Sequence, residues 1–520
     1  MRVIDLFDRG AMLAPDAPCL KDDERTISYR EARKATHAIA RALNRLGIGP
    51  GDRVAVITPN DAWGYVACLG LGRAEAVWVP LNPRSTFEEN LGNLDLTEPK
   101  LLIYHSDHAE EAAEWVARSK TVAAGLCLDR DDAGRPGLRS LIEGDDGAPV
   151  PPPAEMTDRD TLYRLNFTGG TTGRPKGVPH SYLAHEINAA AYAILWGAQT
   201  PQRYLLAAPM THAAGGLAPP VFLLGGMVRL LRKADPERIM ELIEAEGITD
   251  LMLPPTVIYA MLDHPRARDF DYSTLRHFMF AAAPMSPDKI RRAIDIFGPC
   301  FAQFYAQSEV AMSITWMGPK DYADAAADPA LAHRLASAGR PGPFTQLAIM
   351  GEDGALLGDD EVGEIVVRSN QVMAGYLNNP EATAETFAHG WHHTGDLGRR
   401  DADGYYYLVD RKRDMVISGG FNIYPGEVER VLLGHPAIQD CAVIGTPDDR
   451  WGEALTAVVQ LSPGASLDAE ALRIWARERL SGVNTPKRYE FWEDLPRSPV
   501  GKVLKRVIRE GFWQGRDRAI

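Results

Sequence analysis

The chain has 520 residues, of which 45% are hydrophobic and 24% charged, and its formal net charge at pH 7 is -14. That length exceeds one ordinary core and sets the expectation of at least two domains, while the acidic balance argues against a non-specific nucleic-acid binder. The five cysteines (Cys19, Cys68, Cys127, Cys300 and Cys441) follow no metal-ligand spacing, so they read as reduced thiols of a cytoplasmic protein with no catalytic nucleophile among them.

In chain order, "MRVIDLFDRG" sets Asp5 and Asp8 where a signal peptide would keep an apolar core, so no export signal of that kind is expected. "REARKATHAIARALNRLGI" has apolar residues at helical spacing, and a Gly-Pro-Gly turn leads from it to the strand-like "RVAVIT". The same alternation continues from Asp61 into "AVWVPL", and the runs "YLLAAP", "GMVRLL", "DLMLPP" and "HFMFAAAP" read as further strands. Such a series predicts an α/β fold of mainly parallel sheets flanked by helices. The most membrane-like stretch, residues 217–231, is interrupted by Pro219, Pro220 and Arg229 and is too short to span a bilayer. "DGAPVPPPAE" and "DYADAAADPALAH" read as irregular excursions. Near Asp410 the texture changes: "DGYYYLVD" and "RKRD" lead into "MVISGGFNIYPGEVERVLL". Two strands ("CAVIGT", "ALTAVVQL"), a helix around "DAEALRIWARERL" and a last strand "RYEFWEDL" then suit a small α+β domain.

Among these elements "NFTGGTTGRPKG", residues 166–177, concentrates bare backbone N–H groups, hydroxyls and a lysine, a composition suited to an anion such as a phosphate chain. Its spacing is not that of a Walker loop, because Arg174 and Pro175 separate Gly173 from Lys176. Taken alone, the stretch serves equally as a surface loop of turn formers.

Four further segments decide between those readings: "FYAQSEV", "HTGDLG", "DRKRDMVISGGFNIYPGEVE" and "PRSPVGKVLKR". With "TGGTTGRPKG", and with "TISYREA" and "GIGPGDRVAV" nearer the start, they follow the order of motifs in the adenylate-forming superfamily, and the chain resembles its acyl-CoA synthetases along nearly its whole length. The resemblance implies a large N-terminal AMP-binding domain over 1–409, a hinge at 410–413 and a small mobile lid domain over 414–520. It implies a phosphate loop of Thr168, Gly169, Gly170, Thr171, Thr172, Gly173 and Lys176, with Ser308 beside it. Glu309 would bind Mg²⁺, Tyr305 would stack near adenine, and Asp396 with Arg411 would hold the ribose hydroxyls of ATP. Lys502 would be the catalytic lysine, offsetting negative charge as a carboxylate meets the α-phosphate. Arg413 would be the hinge residue, where other members carry Asp or Lys. Gly419 and Gly420 would border the CoA channel, and His212 would align with the aromatic gate of several CoA ligases.

The acyl pocket is expected around His212, Ala213, Gly215, Ala281, Ala282 and Ala283; the small residues leave room for a medium chain or a ring, though small residues also serve close backbone packing. The expected activity is ATP-dependent ligation of an apolar aliphatic or aromatic monocarboxylate to CoA. The expected partners are that acid, ATP and CoA, with no nucleic acid and no membrane span, and a homodimer is left open. Two alternatives stay open at this stage: transfer of the acyl group to a separate carrier protein, and a non-catalytic nucleotide-binding regulator.

Overall fold

Strands apolar on both faces need cover on both sides, and the fully buried runs Val77–Pro80 and Leu101–Tyr104 receive it. The computed structural model describes residues 1–152, 158, 160–168, 175–197, 202–418, 421–448, 450–498 and 502–513. A six-stranded sheet runs in the order Ala124–Cys127, Leu101–Tyr104, Arg53–Ile57, Val77–Pro80, Leu162–Phe167, Gly177–Ser181. All its pairs are parallel except the last, an antiparallel hairpin. A nine-stranded sheet has a parallel interior of Phe301–Gln307, His277–Phe280, Asp250–Leu253, Arg203–Leu206, Met227–Leu230 and Pro18–Lys21, with antiparallel strands at its edges.

One core joins these two sheets through the helices Val3–Leu13, Tyr29–Arg45 and Ala62–Arg73. The second of these starts at Ser28, whose Oγ accepts from the Glu31 N–H at 3.2 Å while the Glu31 carboxylate accepts from the Ser28 N–H at 2.8 Å. This reciprocal cap stabilises the helix by about 1 kcal/mol. Gly70 lets the third helix approach it, since a Cβ there would lie 2.5 Å from Ile39 Cγ2.

The segment 346–411 departs from the parallel plan and forms a four-stranded antiparallel sheet of Gln346–Met350, Gly363–Arg368, His392–Arg400 and Tyr406–Arg411. Its connection at Asp401 is a tight turn ending in Gly404 at φ 81°, too short for a crossover helix. "DYADAAADPALAH" also differs from expectation: Pro319–Ala327 is a helix. Pro319 starts it, Asp321 accepts from the Gly318 N–H at 3.1 Å, and alanine propensity carries it onward.

The C-terminal strands Phe421–Ile423, Val416–Ser418, Gly452–Leu461, Ile438–Asp448 and Arg488–Phe491 make a separate sheet over its own core. Its helix Pro425–Leu432 is moored to the preceding sheet: Asp410 Oδ2 accepts from the Gly426 N–H at 2.6 Å, and Arg430 donates to the Leu408 carbonyl at 3.0 Å. All five cysteines are buried free thiols. Among the described residues no helix is long and apolar enough to cross a membrane.

Candidate active site

The glycine loop is borne by the hairpin Leu162–Phe167/Gly177–Ser181. Its neck is closed by two bonds, the Thr168 N–H donating to the Lys176 carbonyl at 3.0 Å and the Lys176 N–H to Thr168 Oγ1 at 3.3 Å. Gly169, Gly170, Thr171, Thr172 and Gly173 lie outside the described residues. Opposite the neck, Ser308 and Glu309 form the two-residue turn between strands Phe301–Gln307 and Val310–Met317.

Glu309 does not stand alone. Tyr376 Oη donates to its Oε1 at 2.7 Å, and the Lys176 ammonium lies 4.6 Å from the centre of the Tyr376 ring. One phenol therefore joins the loop lysine to the turn carboxylate, and burial together with Glu309 pushes that phenol's pKa up, keeping it a donor. A single carboxylate suits Mg²⁺ when phosphate oxygens supply further ligands, so Glu309, with its other oxygen outside this bond, fits such an ion. Sequence reasoning passed over Tyr376, which lies far along the chain in "MAGYLNNP".

Asp396, on strand His392–Arg400, is directly opposite Arg411 on strand Tyr406–Arg411. Its Oδ2 accepts from Tyr305 Oη at 2.5 Å and from Gln307 Nε2 at 2.7 Å, while Oδ1 is 3.7 Å from Arg411 Nε. Tyr305 is thus tethered through its hydroxyl, and burial, reinforced by Asp396, drives its pKa well up. Gln307 was also missed; its Nε2 lies 3.3 Å from Tyr305 Oη, beside the same carboxylate oxygen. Fixed by two donors, the Asp396 carboxylate keeps acceptor capacity for a diol.

Lys502 reaches this cluster from the C-terminal unit. Its N–H donates to Ser498 Oγ at 3.1 Å, and the Ser498 N–H donates back to the Lys502 carbonyl at 2.8 Å. Burial, then the charge of Arg411, lowers its ammonium to about 8, against the opposing pull of Asp396 and Glu309. The helix Lys505–Phe512 that follows is anchored by Lys505 to Glu429 at 2.8 Å and by Arg509 to Asp414 at 3.0 Å. Arg413 lies in the short turn Lys412–Asp414 between the last strand of the antiparallel sheet and the C-terminal unit. Gly419 and Gly420 are outside the described residues.

On the other side, His212 immediately precedes the helical turn Ala213–Gly216, and its Nδ1 is 3.0 Å from Thr211 Oγ1. Burial, then Arg164 and Arg84, lowers the imidazole to about 4, so it is neutral at pH 7. Ala213 is half-buried. Gly215 is buried, and a Cβ there would lie 1.8 Å from the Met210 carbonyl oxygen, so its bareness serves backbone packing. Ala281 is buried at the end of strand His277–Phe280, whereas Ala282 and Ala283 are exposed. Ala282 adopts φ 75°, a left-handed conformation that costs a non-glycine residue about 1 kcal/mol or more.

A large body of parallel sheets flanked by helices is thus followed by a small C-terminal α+β unit that carries Lys502. Residues 7–377 match the family described as AMP-binding enzyme and residues 427–502 its C-terminal domain; the chain belongs to this family and, within it, to the AMP-forming acyl-CoA synthetases. It is 37% identical over 506 residues to a feruloyl-CoA synthase from Amycolatopsis sp, covering 97% of this chain and 98% of the relative. It is 32% identical over 494 residues to the long-chain-fatty-acid–CoA ligase FadD13 of Mycobacterium tuberculosis, covering 94% and 93% of the two chains. Among solved structures it resembles the amide bond synthetase McbA of Marinactinospora thermotolerans, with TM-score 0.87, 30% identity, and 98% and 100% of the chains covered.

Proposed function

We propose that the chain activates an apolar aliphatic or aromatic monocarboxylate with ATP and passes the acyl group to CoA. In the first half-reaction a carboxylate oxygen bonds to the α-phosphorus as the bond to the β-phosphate breaks, giving acyl-adenylate and pyrophosphate. In the second, the CoA sulfur bonds to the acyl carbon, its proton is lost, and AMP leaves. The observation that carries this reading is the convergence of Glu309, held by Tyr376 beside Lys176, with Asp396, held by Tyr305 and Gln307 opposite Arg411.

In this reading Lys502 and Thr168 act on the reacting phosphate, residues 168–176 grip the leaving pyrophosphate, and Asp396 with Arg411 orients the ribose. Tyr305 borders the adenine and positions Asp396. Glu309 would hold Mg²⁺, which would supply charge neutralisation there when bound. Arg413 serves as the pivot between a domain over 1–409 and a lid over 414–520, and Gly419–Gly420 admits the CoA arm after rotation. His212 acts as a neutral gate beside the acyl group, with Ala213 and Ala281–Ala283 along the pocket. The relatives named for feruloyl and long-chain acyl substrates support an apolar acid, and we place the enzyme, as monomer or homodimer, in the cytoplasm.

The test is pyrophosphate release from ATP and Mg²⁺ across a carboxylate panel, each acid with and without CoA, and products identified by mass. A CoA-dependent acyl-CoA from an aromatic or aliphatic acid is expected. Turnover confined to acetate or a charged amino acid would overturn the substrate class. Acyl-adenylate accumulating with CoA present would point to another acceptor, a carrier protein or an amine.

A further inference from the structure

Arg164 is 4% exposed, yet no carboxylate among the described residues lies within ion-pair distance of it. Its charge rests on the face of Trp78, 4.3 Å from the ring centre. An isolated buried cation costs several kcal/mol, so its retained contacts require an explanation. Among the described residues two hydrogen bonds hold it: Nε donates to Asn166 Oδ1 at 2.6 Å, and Nη2 donates to the Thr211 carbonyl next to His212.

The first contact begins a chain. A guanidinium can only donate, which fixes oxygen as the Asn166 atom facing it and turns the Asn166 amide NH₂ outward. That NH₂ is 3.2 Å from His180 Nδ1, and His180 Nε2 is 2.6 Å from the Ser308 carbonyl oxygen. The carbonyl accepts, so Nε2 carries the proton and Nδ1 is bare to accept from Asn166. Every bond then points from Arg164 to Ser308 without conflict. The tautomer must be neutral, and burial lowers His180 to about 4. The strands explain the convergence: Arg164 and Asn166 alternate onto one face of Leu162–Phe167, and His180 on the neighbouring strand is the direct partner of Arg164.

We infer that Arg164, Asn166 and His180 are positioning residues that set the Thr211–His212 side and the Ser308–Glu309 side of the active site as one unit. Carboxylate and ATP must meet at one phosphorus atom, and small misplacements of either are costly. The relay fixes their two supports to a common hairpin that also bears the glycine loop. This inference rests on the proposed reaction, and the wild-type enzyme separates the two: no pyrophosphate release with any acid would reject the reaction itself, before any variant is compared.

The experiment is a double-mutant cycle on His180→Leu and Arg164→Met, with His180→Gln as the rescue. Readouts are equilibrium binding of MgATP, KM for the carboxylate, thioester formation from supplied acyl-adenylate, and thermal melting. His180→Leu should weaken MgATP binding about tenfold, the value of one hydrogen bond at a buried site. His180→Gln, which still offers an N–H to Ser308, should recover to within about threefold. Arg164→Met should weaken both MgATP and the carboxylate. The double variant should bind MgATP no worse than the poorer single, because both break the same chain. If Arg164→Met does not fold, Asn166→Leu replaces it in the cycle. Multiplying losses, a Gln variant as poor as Leu, or lower melting with unchanged affinities would each overturn the relay.

Discussion

The two sides of the site are built differently. On the nucleotide side, charged and hydroxyl-bearing side chains converge from four separate segments: Glu309 held by Tyr376, Asp396 held by Tyr305 and Gln307, and Lys502 brought in from the C-terminal unit. On the proposed carboxylate side stand a glycine pressed on the Met210 carbonyl, an alanine in the left-handed region and an imidazole kept neutral. In the proposed reading, the activating chemistry is carried by the converging charged side chains, and the choice of acid by the side chains bordering the space beside His212. Changes on the nucleotide side should therefore alter rate for every acid, and those on the other side should alter which acid is preferred.

The largest effect expected is from Lys502→Ala. Removing a preorganised cation from a developing anionic centre typically costs on the order of a hundredfold or more. Pyrophosphate release should fall by at least that factor for every acid in the panel, while conversion of supplied acyl-adenylate to thioester stays within about threefold. Equal loss of both half-reactions would mean that Lys502 supports more than the first.

The same ammonium gives a pH signature. Burial and Arg411 lower it to about 8, so the protonated form is retained below that pH and is lost as pH rises through it. kcat/KM for ATP, which reports the free enzyme, should fall on the alkaline side with an apparent pKa near 8. Lys502→Arg, which cannot deprotonate in this range, should carry a lower plateau but no such limb. A limb unchanged in the Arg variant would assign it to another group.

Smaller is the effect of Tyr376→Phe. The ring under the Lys176 ammonium stays, and only the bond to Glu309 is lost, a hydrogen bond to a charged acceptor. The Mg²⁺ concentration giving half-maximal ATP binding should rise about tenfold, with the ranking of acids unchanged. A changed ranking would break the division of labour between the two sides.

The parts legible in the sequence were those whose meaning is local. Alternating apolar runs point to the parallel sheets, and the ordered motifs point to Glu309, Asp396, Arg411 and Lys502 as candidates. Tyr376 and Gln307 were not legible, because their partners are set by tertiary contact: Tyr376 meets a carboxylate 67 positions away, and Gln307 one 89 away. The relay of Arg164, Asn166 and His180 escaped for the same reason, since His180 answers to Ser308 across 128 positions. Gly215 shows an ambiguity that sequence leaves open: small residues leave room or allow close packing alike, and the Met210 carbonyl 1.8 Å from its would-be Cβ shows the close packing.

That ambiguity gives the last and smallest effect, seen by comparing Gly215→Ala with Ala213→Val. At Gly215 the new Cβ would fall 1.8 Å from a backbone oxygen, a contact no side-chain rotation relieves, so the turn must shift. Overpacking of this kind costs about 1–3 kcal/mol, and melting temperature should fall with all acids affected alike. At Ala213, half-buried beside His212, two added methyls should leave melting unchanged. The ratio of kcat/KM between aromatic and aliphatic acids should instead move by about three- to tenfold, the range for small changes of pocket volume. An unchanged ratio in Ala213→Val would remove Ala213 from the pocket wall, and a shifted ratio in Gly215→Ala would show that backbone placement there selects the acid directly.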